Sequence, residues 1–351
     1  MDKLNPKMII LARESRGKTQ TELAALLQIP QGNLSRMERG DVGVNEQVLE
    51  GLSQILNYPI EFFFQTNQIH VPDTHYRKAA ILDQKTKLKA EALMNIYMFN
   101  IDAMLQDLDI PTNNIPIMRD QYDSPEKIAQ YVRSYWSVPK GPIDNLSKLV
   151  EDNGIIVIQI DFETDKIEGR TIFSNTGHPI IFINKNSSGD RQRLTLAHEL
   201  GHLILHSNTM PIFGRDEEPE AFNFGIELLM PLSECKYDLT SNLTLERLSD
   251  LKRIWKVAMQ AILYRVQEKE IVTYNRCRYL WSQINARGWR KSEPIIIPQE
   301  KPTLLGRMIS MLTESKYEIN YTKKDLSVIF KISEEEVEER FLKQTGKLRV
   351  A

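Results

Sequence analysis

Apolar positions recur at helical spacing through most of the chain and at strand spacing only in one stretch near its middle. The first 64 residues read as a run of short helices with well-marked ends. Pro6 to Arg16 predicts a first helix, closed by Gly17. Thr19 and Glu22 form a capping box that opens a second helix, with Leu23, Ala24 and Leu27 inward. Ile29-Pro30 makes a turn into a third, Gln31 to Arg39, which buries Leu34 and Met37 and stops at Gly40. Asn45 caps a fourth, whose stripe is Val48, Leu49, Leu52, Ile55 and Leu56.

Helical spacing returns at 84–108, closed by Pro111 and Pro116, and again after Ser124-Pro-Glu, where Ile128, Tyr131, Val132, Tyr135 and Trp136 face inward. Beyond Asn153-Gly154 the period drops to two. Ile155–Ile160, Arg170–Phe173 and Pro179–Ile183 predict a small, mostly antiparallel sheet. Asp190 can then cap a helix from Arg191 to His206. A helix from Pro219 to Pro231 follows, with more helix over 244–267 and a small helical cap over 303–351. The expected fold class is α+β and mostly helical, in five parts: 1–66, 67–115 as a helical connector, 116–235, 236–297 and 298–351.

Composition narrows the possibilities. The chain has 351 residues, with 45 Lys and Arg against 47 Asp and Glu, which argues for two or three globular domains and against a general basic footprint. Its two cysteines, Cys235 and Cys277, allow neither a disulfide framework nor a four-sulfur zinc site. No signal-peptide core stands at the N-terminus, and no apolar run approaches the ~20 residues that span a bilayer. The expected location is cytoplasmic, with no membrane contact. Any nucleic-acid contact must come from a local patch, and residues 1–40 supply one, with seven basic against four acidic side chains.

The second and third helices make a helix-turn-helix layout, in which the second of the pair enters the major groove. The stretch Arg16 to Leu27, followed by Ile29-Pro-Gln-Gly-Asn-Leu-Ser-Arg-Met-Glu-Arg-Gly40, resembles the repressor-type XRE family (lambda/434-like). The resemblance implies a four- or five-helix DNA-binding domain with Gln20 as a phosphate anchor and Gln31, Asn33 and Arg36 at base-reading positions. Gly32 stands where a side chain is often found, so one base contact is missing. The implied partner is a double-stranded DNA operator, read by a homodimer where two half-sites are present.

The second chemical signal is Leu196-Ala-His-Glu-Leu-Gly-His-Leu-Ile-Leu-His206. His198 and His202 are four residues apart, about 40° around a helix, so both imidazoles face one way and can bind a zinc ion. Glu199 is placed to act as general base in this known metalloprotease motif. A metzincin would need histidine at position 208, where Asn208 stands. A carboxylate from the following helix is the other common third ligand. Glu220 precedes Phe224 and Leu228 on the apolar stripe and is the first choice; Glu227 is the second, as ligand or supporting carboxylate. Glu217 and Glu218 are expected at the exposed helix start, as partners of its dipole.

Together with Glu220-Ala-x-x-Phe-x-x-Glu-Leu-Leu-Met-Pro231, this helix resembles the ImmA/IrrE family of zinc metallopeptidases, over roughly 120–295. The resemblance implies a zincin-like domain of gluzincin type, its small sheet packed on the His-Glu-x-x-His helix. It implies Zn2+ held by His198, His202 and Glu220, with Glu199 as base, and a helix-turn-helix-like extension after the peptidase core. Phe222 departs from the family's usual Asn. A substrate strand is expected to pair with Pro179–Ile183. The implied function is a transcriptional regulator whose zinc endopeptidase cleaves a repressor or other regulatory protein, in a mobile element or a stress response. Alternatives are a DNA-binding repressor or antitoxin whose zinc domain senses without cleaving, and a toxin-like protease of a toxin–antitoxin pair.

Overall fold

Four helices, α1 (Pro6–Ser15), α2 (Gln20–Leu26), α3 (Gln31–Arg39) and α4 (Glu46–Leu56), and a 3-10 turn at Ile60–Phe64 form the N-terminal unit. The computed structural model describes residues 3–70, 82–110, 113–116, 124–206, 216–240, 242–314 and 320–343. Pro111, Asn208 and the tail 344–351 lie outside them. The helix ends follow from local chemistry. Asn5 caps α1 by accepting from Lys7 N, Thr19 and Glu22 close a reciprocal capping box on α2, and Asn45 accepts from Val48 N on α4. A buried bidentate ion pair ties α1 to α3: Arg13 Nε donates to Glu38 Oε1 at 2.6 Å and Arg13 Nη2 to Glu38 Oε2 at 3.1 Å. Glu38 is only 4% exposed, although the sequence offers it as an ordinary surface charge.

α5 (Gln84–Met104) is where the sequence suggests a connector. It is instead a central helix, with every residue from Met94 to Asp102 buried. A helix enclosed on all sides must be apolar on all sides, and Met94-Asn-Ile-Tyr-Met-Phe-Asn-Ile has that character. α1 and α15 (Lys323–Phe330) both pack on it.

After α6 (Pro125–Tyr135) and α7 (Leu146–Asp152) come three strands: β1 (Ile156–Ile160), β2 (Gly169–Phe173) and β3 (Pro179–Asn184). Their order is β1-β3-β2. β1 runs parallel to β3, with Ile156 opposite Ile180, and β2 runs antiparallel to β3, with Thr171 opposite Ile181. The sheet is therefore mixed rather than mostly antiparallel. β3 is its centre, buried along its whole length and paired on both sides. That rules out Pro179–Ile183 as the strand that receives a substrate.

The sheet divides two hydrophobic cores, and the period-two alternation assigns its residues. Ile156, Ile158, Ile172, Ile180 and Phe182 join a core that runs through α5 into the N-terminal helices and C-terminal residues from 304–312 and 326–341. Val157, Ile181 and Ile183 join a second core with α6, α7, α8 (Gly189–Leu205), α9 (Glu217–Leu229), α10 (Leu232–Cys235), α11 (Leu245–Trp255), α12 (Met259–Glu268) and α13 (Tyr274–Ala286). α14 (Leu304–Thr313), α15, α16 (Glu334–Val337) and a π-type turn at Glu338–Leu342 are the last elements among the described residues. Among the described residues no helix is long and apolar enough to cross a membrane.

Two local expectations change. α8 begins at Gly189, so Asp190 lies inside the helix; it is 3% exposed and pairs with the buried Lys252 at 2.8 Å instead of capping. Tyr131 and Tyr135, expected inward on α6, are each 47% exposed and stack on one another, because Ile128, Ala129 and Val132 already fill that helix's core stripe.

Candidate active site and nucleic-acid interface

α8 and α9 cross with their backbones nearly touching. A Cβ at Gly201 would lie 3.0 Å from Ala221 Cα, and one at Gly225 would lie 3.0 Å from His198 N. Any larger residue at either position would push the helices apart. This crossing lays the first turn of α9 over the imidazoles of α8.

His198 Nε2 and His202 Nε2 face one another at 3.0 Å. Glu218 completes the group, with Oε2 at 3.5 Å from His198 Nε2 and Oε1 at 3.6 Å from His202 Nε2. Hydrogen bonds from His198 and then His202 hold the Glu218 carboxyl well below the usual carboxylate range. Glu220, expected as third ligand, lies one turn further along α8. Its Oε2 accepts from His206 Nε2 at 3.1 Å, and His206 Nδ1 is 3.1 Å from His202 Nδ1. The difference arises where α9 starts. Starting at Glu217, its first turn aims Glu218 at the two imidazoles, while Glu220, two residues on, aims past them. A second group of donors, His202, His206 and Glu217, also clusters here. Burial pushes the His206 imidazole below its ordinary value, against the pull of its bond to Glu220.

The first group suits a zinc ion. Ligand atoms about 2.0–2.2 Å from a tetrahedral metal lie about 3.3 Å from one another. The three donor atoms stand at 3.0, 3.5 and 3.6 Å, close to one face of such a tetrahedron. Two imidazoles and a carboxylate are also a donor set that zinc accepts.

Glu199, next to the first imidazole, is 7% exposed and turns toward the sheet. Thr171 Oγ1, on β2, donates to Glu199 Oε2 at 2.8 Å. The strand reaches this close because it starts at Gly169, where a Cβ would stand 2.5 Å from Thr195 Cγ2 and 3.2 Å from Glu199 Cγ. Thr171 escapes sequence reasoning because nothing local to residue 171 reports which helix its strand crosses.

Glu227 is fully engaged elsewhere. It pairs with buried Arg265, accepts from Gln130 Nε2 at 2.7 Å and from Leu232 N, and so fixes the end of α9. Phe222 packs edge-on against Tyr264 of α12, ring centroids 5.0 Å apart.

In the N-terminal unit, Gln20 opens α2 behind its capping box and donates to Glu38 Oε2 at 2.7 Å; Gln31 Nε2 donates to Gln20 Oε1 at 2.8 Å. The chain Arg13–Glu38–Gln20–Gln31 thus holds an exposed side chain at the start of α3 from a buried ion pair. Arg36, also exposed, donates to Asn33 Oδ1 at 2.7 Å. A Cβ at Gly32 would meet nothing within 4 Å, so this position offers open space rather than a contact.

Comparison with known proteins agrees with this division. Residues 9–63 match the family model described as helix-turn-helix, and residues 150–267 match the peptidase family model described as IrrE N-terminal-like domain. No curated protein sequence matches the chain. The chain thus joins a segment that matches a helix-turn-helix model to a segment that matches the IrrE N-terminal-like model of a peptidase family.

Proposed function

We propose that the protein is a DNA-binding regulator carrying a zinc-dependent endopeptidase, and that its cleavage of a regulatory protein controls gene expression. The observation that carries this reading is the trio His198, His202 and Glu218, with Glu199 beside it, formed where α8 crosses α9. His198 and His202 would hold the ion with one carboxylate. Glu218 is the nearer candidate; Glu220 is the residue the family resemblance favours. When bound, zinc supplies Lewis-acid polarisation of a peptide carbonyl and acidifies a water.

The protein's own groups do the rest. Glu199 accepts a proton from the attacking water and returns it to the leaving amine. The Thr171 hydroxyl steadies the Glu199 carboxylate. Glu220 accepts from His206 Nε2, and His206 Nδ1 lies beside His202 Nδ1, so this pair orients the His202 ring from behind. β2 has no strand on its outer side among the described residues and lies beside Glu199. It is therefore the edge on which an extended peptide pairs by strand addition. On the DNA side, Gln20 anchors a phosphate while Gln31, Asn33 and Arg36 read base edges.

The test is metal analysis followed by incubation of the protein with zinc and the product of the neighbouring gene. Bound zinc and a cleavage band from the native protein, absent with Glu199→Gln, are expected. Operator binding without cleavage would leave a sensor, and a metal-free protein indifferent to chelators would remove the hydrolase reading.

A further inference from the structure

The segment from Tyr274 to Lys291 carries five cations, Arg276, Arg278, Arg287, Arg290 and Lys291, and no acidic residue, in a chain whose net charge is −2. Nearby cations have acidic partners: Lys269 has Glu126, Arg253 has Asp250 and Arg247 has Asp238. Among the described residues none of the five forms an ion pair. Arg276 donates to Leu243 O, Arg287 to Gln283 and Arg290 to Asn285 Oδ1, all neutral acceptors that leave the charge in place. Glu246 lies within Coulombic reach of Arg287 and Arg276 but pairs with neither, and Glu293 is turned inward to Lys252.

α13, which carries Arg276 and Arg278, is two-sided. Cys277, Leu280 and Ile284 face the core, while Tyr274 and Tyr279 are 68% and 52% exposed on the outside. The guanidinium of Arg276 lies 5.3 Å from the Tyr279 ring, that of Arg287 lies 5.5 Å from Trp289, and that of Arg290 lies 5.6 Å from Trp281. A guanidinium held over a ring has less freedom, while its N–H groups stay available.

We propose that this face, α13 with the 287–291 turn, is a second contact for the phosphate backbone of duplex DNA, separate from α3. Charge complementarity selects a polyanion. Arginine, lysine and tyrosine are side chains that bind phosphate oxygens, and the segment itself carries no carboxylate; the one acidic group near it, Glu246, stands against five cations. The exposed large apolar side chains here are both tyrosines, whereas a protein partner usually finds an apolar centre. The assignment is independent of base reading by α3: it requires affinity without sequence preference.

The test uses the full chain, a fluorescent random-sequence duplex and a salt titration. Arg278→Ala, Arg287→Ala and Lys291→Ala are combined, since all three side chains are exposed. The same triple change is also placed in a Gln31→Ala/Arg36→Ala background. In both backgrounds the triple variant should bind roughly tenfold or more weakly at low salt, with the slope of log K against log salt reduced by about 2–3. Unchanged circular dichroism and melting temperature exclude misfolding. A second combination, Arg278→Gln with Lys291→Gln, gives the same reading if the first melts early. Wild-type affinity and slope in the variants overturn the proposal, as does loss of binding to a polyglutamate peptide with duplex binding intact. Failure of α3 to select an operator would leave this result standing.

Discussion

The exposed face of α3 and the crossing of α8 with α9 are both built from polar side chains, yet they are specified in different ways. On α3 the proposed base-reading side chains are neighbours in sequence, held by capping, a tight turn and one buried ion pair within 40 residues. At the crossing, two imidazoles a helical turn apart meet a carboxylate from another helix, and Glu199 beside them meets a hydroxyl from a strand. The first arrangement is decided by local chemistry. The second is decided by how closely two backbones approach and where α9 starts.

Perturbing each side separately tests this contrast. The largest effect is expected at Glu199: Glu199→Gln should retain zinc while cleavage falls about 10²–10⁴-fold, measured by metal analysis and gel assay on one preparation. At the other region, Glu38→Gln strands the buried Arg13 guanidinium and should cost about 3–5 kcal/mol in urea unfolding of the N-terminal unit. Operator reading should then fail together with folding, because the same carboxylate holds Gln20.

Next comes the crossing itself. Gly225→Leu should destabilise by about 1–3 kcal/mol and weaken zinc binding together, since a Cβ there meets His198 N at 3.0 Å. The comparison sharpens with Glu218→Gln against Glu220→Gln. If Glu218 holds the ion, its variant loses zinc outright, while Glu220→Gln weakens binding about 10–100-fold through His206. The reverse order would mean that the first turn of α9 rotates when metal binds. The smallest effect concerns the thiols. Burial pushes Cys235 up to about 12, and Cys277 is also raised, so neither should react with a thiol reagent at pH 8 until denaturant is added. Because the folded value exceeds the unfolded one, the stability tied to Cys235 is intact below about pH 9 and declines as the pH climbs toward 12.

Much of this was legible in the residues. The capping box at Thr19 and Glu22, the glycine stop at Gly40 and the four-residue spacing of His198 and His202 report purely local geometry, and the structure has each. What was not legible depends on distant partners. Glu38 and Asp190 read as solvated charges or caps because Arg13 and Lys252 come from elsewhere in the fold. Glu220 sits on an apolar stripe that does face α8, but the stripe fixes a face, not the height along the partner helix, and that height separates a contact with His202 from one with His206. The parallel pairing of β1 with β3 was hidden for the same reason, since alternation marks a strand without naming its neighbour.

The oily interior shared by the N-terminal helices, α5 and one side of the sheet makes the two modules a single inheritance. A cassette exchange that replaced only the N-terminal helices would have to carry the matching surface of α5 along. Point changes on the outer rim of α3, where Gln31, Gly32 and Arg36 are exposed, would leave what lies beneath undisturbed.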